Sequence, residues 1–226
     1  MEKAFYEAAH AGNVMEAINI LRNNPSLDVN WMRLRGGERS FGIFFDAAIH
    51  TSSDAIISIL LAHPDIDVNR QNESGRTTFM IACLNESISC IRVLLTDARV
   101  KVSEPDLEGS TPLCCAARSG YLDAIKWWIA SGREMDLGTP GNEKTDAVGE
   151  AKEKGKTSVV TLLERFKENQ VRTRIEIMAE LGITGEAASI LELHMYVWPG
   201  FESILSIRLF SDDPAIADLR GVHLLS

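Results

Sequence analysis

The chain contains no uninterrupted apolar run of about 18 residues, so nothing in it has the length and hydrophobicity of a membrane-crossing helix. Its start, Met1-Glu2-Lys3-Ala4-Phe5, lacks a basic stretch leading into an apolar one. These two absences lead us to expect an intracellular protein, cytoplasmic or nuclear, without a membrane partner. Basic charge is also short: 23 Lys and Arg stand against 32 Asp and Glu, a formal charge of -9. Neutralising a phosphate backbone takes clustered cations, so a nucleic-acid partner is not expected and a cationic one fits better.

Cysteine is sparse and arranged without a Cys-x-x-Cys pair. Cys83, Cys90, Cys114 and Cys115 read as reduced, packed side chains rather than as zinc ligands or a disulfide framework. The five histidines (His10, His50, His63, His194 and His223) are scattered, and none has a partner at helical ligand spacing. No Ser/His/Asp or Cys/His set and no paired acids stand out, so no catalytic residue, metal site or cofactor is expected. The stretch Gly149 to Thr157 imitates a phosphate-binding loop, but its first two glycines are six residues apart and no apolar strand precedes it. Two Asn-x-Ser sequons, at Asn72 and Asn85, would matter only in a secreted chain.

What is present is a period. Leu60, Leu94 and Trp128 are spaced 34 residues apart, Leu163 follows after 35, and Leu21 precedes Leu60 by 39. Ala9, Ala48, Ala82, Ala116 and Ala151 keep the same phase, as do the apolar Tyr6, Phe45, Phe79, Leu113 and Val148. A further recurrent string is Leu27-Asp28-Val29-Asn30, then Ile66-Asp67-Val68-Asn69, then the divergent Val100-Lys101-Val102-Ser103. Self-similarity at this stride marks stacked helical units that cannot bury their apolar faces alone. The second unit carries about five extra residues, within Leu34 to Arg39.

The best unit reads Gly109-Ser110-Thr111-Pro112-Leu113, then Ala116-Ala117-Arg118-Ser119-Gly120. The unit before it reads Gly75-Arg76-Thr77-Thr78-Phe79, then Ala82-Cys83 and Ile91-Arg92-Val93-Leu94-Leu95, with Glu86 where the turn glycine is expected. These residues resemble the ankyrin repeat. The resemblance covers roughly residues 1 to 167 and implies an all-α solenoid of helix-turn-helix units joined by hairpin loops. We expect units at about 1–30, 31–69, 70–103, 104–138 and 139–169. The second departs most, with Ile43-Phe44-Phe45 and Ser52 at the motif positions, and the fifth carries Lys152, Glu153, Lys154 and Lys156, which suits a last repeat facing water. Physically, a Thr hydroxyl can cap the first helix, Pro after it needs no amide partner, and Gly120 and Gly155 can take positive φ at the interhelix turn.

By that resemblance the fingers and inner helices would line a concave, protein-binding side. The enlarged second finger concentrates Arg33, Arg35 and Arg39 beside Trp31 and Met32 in an otherwise acidic chain. It reads either as a contact element or as a solvated insertion. Asn72, Glu73, Leu107 and Glu108 occupy the next finger tips. On the inner face, Asp46, Ala47 and His50, then Met80, Ile81 and Leu84, then Cys114, Cys115 and Arg118 hold the variable positions. Of these, Met80, Leu84 and Arg118 join the candidate contact set, with core packing the competing reading for each. Trp127 and Trp128 read as core, with one of the pair able to reach the convex surface.

Beyond Phe166 the register ends. Gln170 to Leu181 reads as an amphipathic helix with Val171, Ile175, Met178 and Leu181 on one stripe, and Gly182-Ile183-Thr184-Gly185 breaks it. Glu186 to Trp198 reads as another helix, Pro199-Gly200 stops it, and segments 201–210 and 212 onward follow. Residues 170–226 are thus expected as a helical extension that caps the array or binds a partner. The expected molecule is a monomeric, non-catalytic scaffold for a protein partner. The competing expectation is an adaptor recruiting an enzyme complex, such as a ubiquitin ligase or kinase, through the C-terminal helices.

Overall fold

In the computed structural model, residues 1–35, 38–42 and 54–183 are described. Helices α1 (Glu2–His10) and α2 (Val14–Asn23) form the first pair. A two-stranded antiparallel hairpin follows, β1 (Met32–Arg35) and β2 (Glu38–Gly42). It is succeeded by α3 (Asp54–Ala62), α4 (Thr78–Leu84), α5 (Ile88–Thr96), α6 (Pro112–Ser119) and α7 (Leu122–Ser131). The last three are α8 (Ala147–Glu153), α9 (Thr157–Glu168) and α10 (Gln170–Glu180).

The helices stand in two rows. In one, α4 packs on α6 and α6 on α8; in the other, α2, α3, α5 and α7 follow side by side. The periodic positions lie between the rows: Leu60, Leu94 and Leu163 are completely buried, Trp128 nearly so, and Ala82, Ala116 and Ala151 are fully buried where paired helices approach. Trp128 stands edge-on to Phe79 at 4.9 Å and donates its indole N–H to the Glu134 carbonyl at 3.0 Å. Trp127 stays half-buried, with the Arg92 guanidinium 4.3 Å from its ring centre.

Capping follows the sequence logic. The Thr77 and Thr111 hydroxyls accept from the amides of Met80 and Cys114, each at 3.3 Å, and Pro112 opens α6. In the fifth unit Asp146 takes that role, accepting from Gly149 N–H at 2.8 Å and from Gly141 N–H at 2.8 Å. Those two amides hold its carboxyl below the ordinary range despite the opposing effect of desolvation. Among the described residues, each first helix is followed by a residue at positive φ: Gly12 at 69°, Glu86 at 52°, Gly120 at 86° and Gly155 at 67°. The following amide reaches back to close the turn: Asn13 to Ala8, Ser87 to Ala82, Tyr121 to Ala116, and Lys156 to Ala151.

Helix α10 falls outside the two rows, lying against both α7 and α9. It is fastened by Lys126 to Glu180 at 2.5 Å, by the Thr173 hydroxyl donating to the Arg165 carbonyl at 3.0 Å, and by Arg174 donating to the Ala130 carbonyl at 3.3 Å. These bonds fix its rotation so that Thr173, Ile177 and Met178 are buried while Val171 and Ile175 are exposed. The expected stripe is therefore corrected. Met178 and, partly, Leu181 face the array, whereas Val171 and Ile175 do not. The helices expected in 186–226 lie outside the described residues.

Candidate functional site

The fingers are built by short polar side chains that organise backbone. Asn72 accepts from the amides of Ser74 at 3.0 Å and Arg76 at 2.9 Å, closing a tight loop. Asp106 repeats the device 34 residues on, accepting from Glu108 N–H at 3.0 Å and Ser110 N–H at 2.9 Å. The two loops are then tied together. Leu107 N–H donates to the Ser74 carbonyl at 3.0 Å, and Arg76 Nε donates to the nearly buried Asp106 carboxylate at 3.2 Å. Gly75 permits this approach, since a Cβ there would stand 2.7 Å from the Leu107 nitrogen. A third link joins the next finger, where Thr111 N–H donates to the Lys144 carbonyl at 3.0 Å and Lys144 Nζ lies 3.5 Å from Glu108.

Three successive fingers thus make one ledge whose exposed tips carry Glu73, Leu107 and Glu108. Leu107 is 76% exposed, and its backbone is fixed by the neighbouring finger. The hairpin β1–β2 pairs Leu34 with Arg39 and Arg35 with Glu38, with an irregularity between Met32 and Leu34. It coincides with the five-residue enlargement read from the sequence. The backbone accordingly places Arg33 and Arg35 on one strand and Arg39 on the other.

The structure treats the other candidates differently. Met80 is fully buried, so it packs in the core and is corrected as a contact residue; Leu84 is half-buried. Trp31 is half-buried and stands edge-on to Tyr6 at 6.0 Å, a packing position at the base of the hairpin rather than an exposed anchor. Asn72 shapes the finger that presents Glu73. Arg118 Nε donates to the buried Glu150 carboxylate at 2.7 Å, and its Nη2 donates to the Glu143 carbonyl at 3.1 Å, so it braces two units. Asp46, Ala47 and His50 lie outside the described residues.

Sequence reasoning missed a chain of inter-unit clamps. Asn30 donates to the Asp65 carbonyl and accepts from Asp67 N–H, at 2.7 and 2.8 Å. Asn69 does the same with the Arg99 carbonyl and Lys101 N–H, both at 2.7 Å. Arginines run in parallel: Arg99 reaches the Leu61 carbonyl at 2.6 Å and Arg133 the Asp97 carbonyl at 2.7 Å, both at the end of the preceding outer helix, and Arg133 also reaches the Val100 carbonyl in the loop beyond it at 2.5 Å. The signal was available, since Arg99 and Arg133 are themselves 34 residues apart.

All four cysteines are free and buried. Burial pushes the Cys90 thiol up to about 12 and that of Cys115 to about 11. Among the described residues, no group of three or more His, Cys, Asp and Glu could hold a metal ion. A hollow of about 610 Å³ lies on the fifth unit, bordered by Leu137, Val148, Lys152 and Glu164. Two of its charges neutralise each other, Lys152 and Glu164 being 2.7 Å apart.

Residues 44–139 match the family described as Ankyrin repeats (3 copies). The human Transient receptor potential cation channel subfamily A member 1 is 29% identical over 87 residues, which are 38% of this chain and 8% of that protein. The chain thus spans a small fraction of that relative's length. Among the described residues, no helix is long and apolar enough to cross a membrane.

Proposed function

Since this chain is an ankyrin-repeat protein, and ankyrin repeats generally mediate protein–protein interaction, we propose that it is a non-catalytic scaffold that binds a protein partner through its concave face and fingers. The observation that carries this reading is the ledge. Three fingers are hydrogen-bonded to one another, so the exposed Glu73, Leu107 and Glu108 sit on backbone already ordered before a partner arrives. Pre-ordering lowers the entropy that association must overcome, and a fixed aliphatic tip flanked by charges suits a small apolar anchor with a polar rim.

The basic hairpin precedes these fingers in the chain, and there Arg33, Arg35 and Arg39 would supply charge-assisted bonds to carboxylates. A partner spanning the whole strip would then carry acidic groups toward the hairpin and basic groups toward Glu73 and Glu108. The test begins with proteins captured on the immobilised full chain and identified. Each is then titrated calorimetrically against wild type and the triple variant Arg33→Ala/Arg35→Ala/Arg39→Ala. Affinity is expected to fall about tenfold or more, the loss typical of removing anchoring arginines. Unchanged affinity with a folded variant rejects the hairpin as a contact element, and unchanged affinity in Leu107→Asp rejects the ledge.

A further inference from the structure

The three finger tips carry their charge and their apolar side chain in a regular order. Counting back from the capping residues Thr77, Thr111 and Asp146, the third position holds Ser74, Glu108 and Glu143, and the fourth holds Glu73, Leu107 and Asn142. All six are exposed. Each of three successive fingers therefore offers one glutamate at its tip, and the middle finger adds the 76% exposed Leu107.

The cations around this row are already committed to other carboxylates. Arg76 lies on Asp106, Arg118 on Glu150 and Lys101 on Glu104, while Lys144 stands 3.5 Å from Glu108. Among the described residues Glu73 and Glu143 have no ion pair. The outer two fingers thus carry unbalanced negative charge, and the leucine sits between them beside a glutamate that already faces a lysine.

Spacing then selects what can lie along the row. Packed helices stand about 10 Å apart, which sets the step from one unit to the next. The bonds from Leu107 N–H to the Ser74 carbonyl and from Thr111 N–H to the Lys144 carbonyl, both 3.0 Å, hold the fingers to one another. An extended chain advances about 3.3 Å per residue, so about three of its residues match one step. A helix, rising about 1.5 Å per residue, needs about seven, and it docks through several apolar anchors where this row has a single leucine.

We propose, resting on the reading of the ledge as the binding edge, that its partner presents an extended segment with an apolar side chain at the centre and a lysine or arginine three places to either side. The central side chain packs on Leu107, and the two cations meet Glu73 and Glu143. Because those carboxylates stand one unit to each side of the leucine, the ledge reads spacing as well as charge.

The test titrates the full chain calorimetrically with the peptide Lys-Ser-Ser-Leu-Ser-Ser-Lys, acetylated and amidated so that only its side chains carry charge. At low ionic strength it should bind about tenfold more tightly than Lys-Lys-Ser-Ser-Leu-Ser-Ser, which has the same composition in another register. Leu107→Asp should abolish that preference, and Glu73→Lys/Glu143→Lys should transfer it to the peptide with glutamates in place of the lysines. Equal binding of the two registers, or binding of neither, overturns the proposal, as does tighter binding of a longer peptide whose lysines stand seven places from the leucine. If the registered peptide fails while captured proteins still lose affinity in Leu107→Asp, this chemistry falls and the ledge remains the binding edge. Captured proteins indifferent to Leu107→Asp overturn both.

Discussion

At the scale of single residues, Glu86 shows how the repeat motif constrains chemistry that composition does not reveal. It occupies the interhelix turn at φ of 52°, where its Cβ crowds the following carbonyl, while the equivalent positions hold Gly12, Gly120 and Gly155. The turn forms anyway because Ser87 N–H still reaches the Ala82 carbonyl and the flanking helices are buried. Glu86→Gly should raise the unfolding free energy by about 1 kcal/mol, a gain partly offset by the greater freedom of glycine in the unfolded chain. Urea denaturation with an unchanged slope checks it; a lower midpoint means that the glutamate makes a contact worth more than its strain.

Residue identity alone did not separate binders from braces. Arg118 and Asn72 had the chemistry of contact residues, yet one neutralises the buried Glu150 and the other holds two amides of its own loop. Glu73, Leu107 and Glu108 differ from them only in what surrounds them, and that is decided by atoms far away in the chain.

At the scale of elements, the string ending in Asn30 and Asn69 is a joint between units. Its aliphatic members Leu27, Val29, Ile66 and Val68 are buried, and the Asn amide spans to the next unit with one donated and one accepted bond. The third copy ends in Ser103, whose buried hydroxyl oxygen finds no hydrogen-bond partner. Serine is too short to bridge. Ser103→Asn places an amide where it can donate to the Arg133 carbonyl and accept from Met135 N–H, the positions that correspond to Arg99 and Lys101 for Asn69. Filling the joint should add about 1 kcal/mol. The thermal midpoint should rise and amide exchange around residues 133–135 should slow; an unchanged midpoint would show that the third and fourth units meet in a different register there.

Helix α10 illustrates what periodicity alone leaves open. Its sequence supports two apolar stripes, one through Val171 and Ile175 and one through Ile177, and both share Met178. Three fastenings, from Lys126, Arg165 and Ala130, choose between them.

At the scale of the whole molecule, stability passes from unit to unit, and each terminal face has to be finished. The fifth unit does so partly by polarity, with Lys152, Glu153 and Lys154 exposed, and partly by α10 lying over α7 and α9. Ending the chain at Asn169 removes the burial of Ile177 and Met178 and should lower the unfolding free energy by about 3 kcal/mol. A chain ending at Ile183 should keep most of it. Comparing the two by equilibrium denaturation separates α10 from everything beyond it; equal stability would make α10 an appendage rather than a cover.

The sequence by itself determined the stride, the caps at Thr77 and Thr111, the turns at Glu86, Gly120 and Gly155 and the position of the enlarged finger. Each of these depends on residues close together in the chain or on one unit copying another, so local sterics and repetition record them. The joining of the fingers, the burial of Met80, the pairing of Arg118 with Glu150 and the rotation of α10 were decided only when units met in space. Those contacts join residues a full repeat or more apart. Whether a polar side chain braces the stack or faces a partner depends on what the neighbouring unit offers it, and a single sequence does not state that.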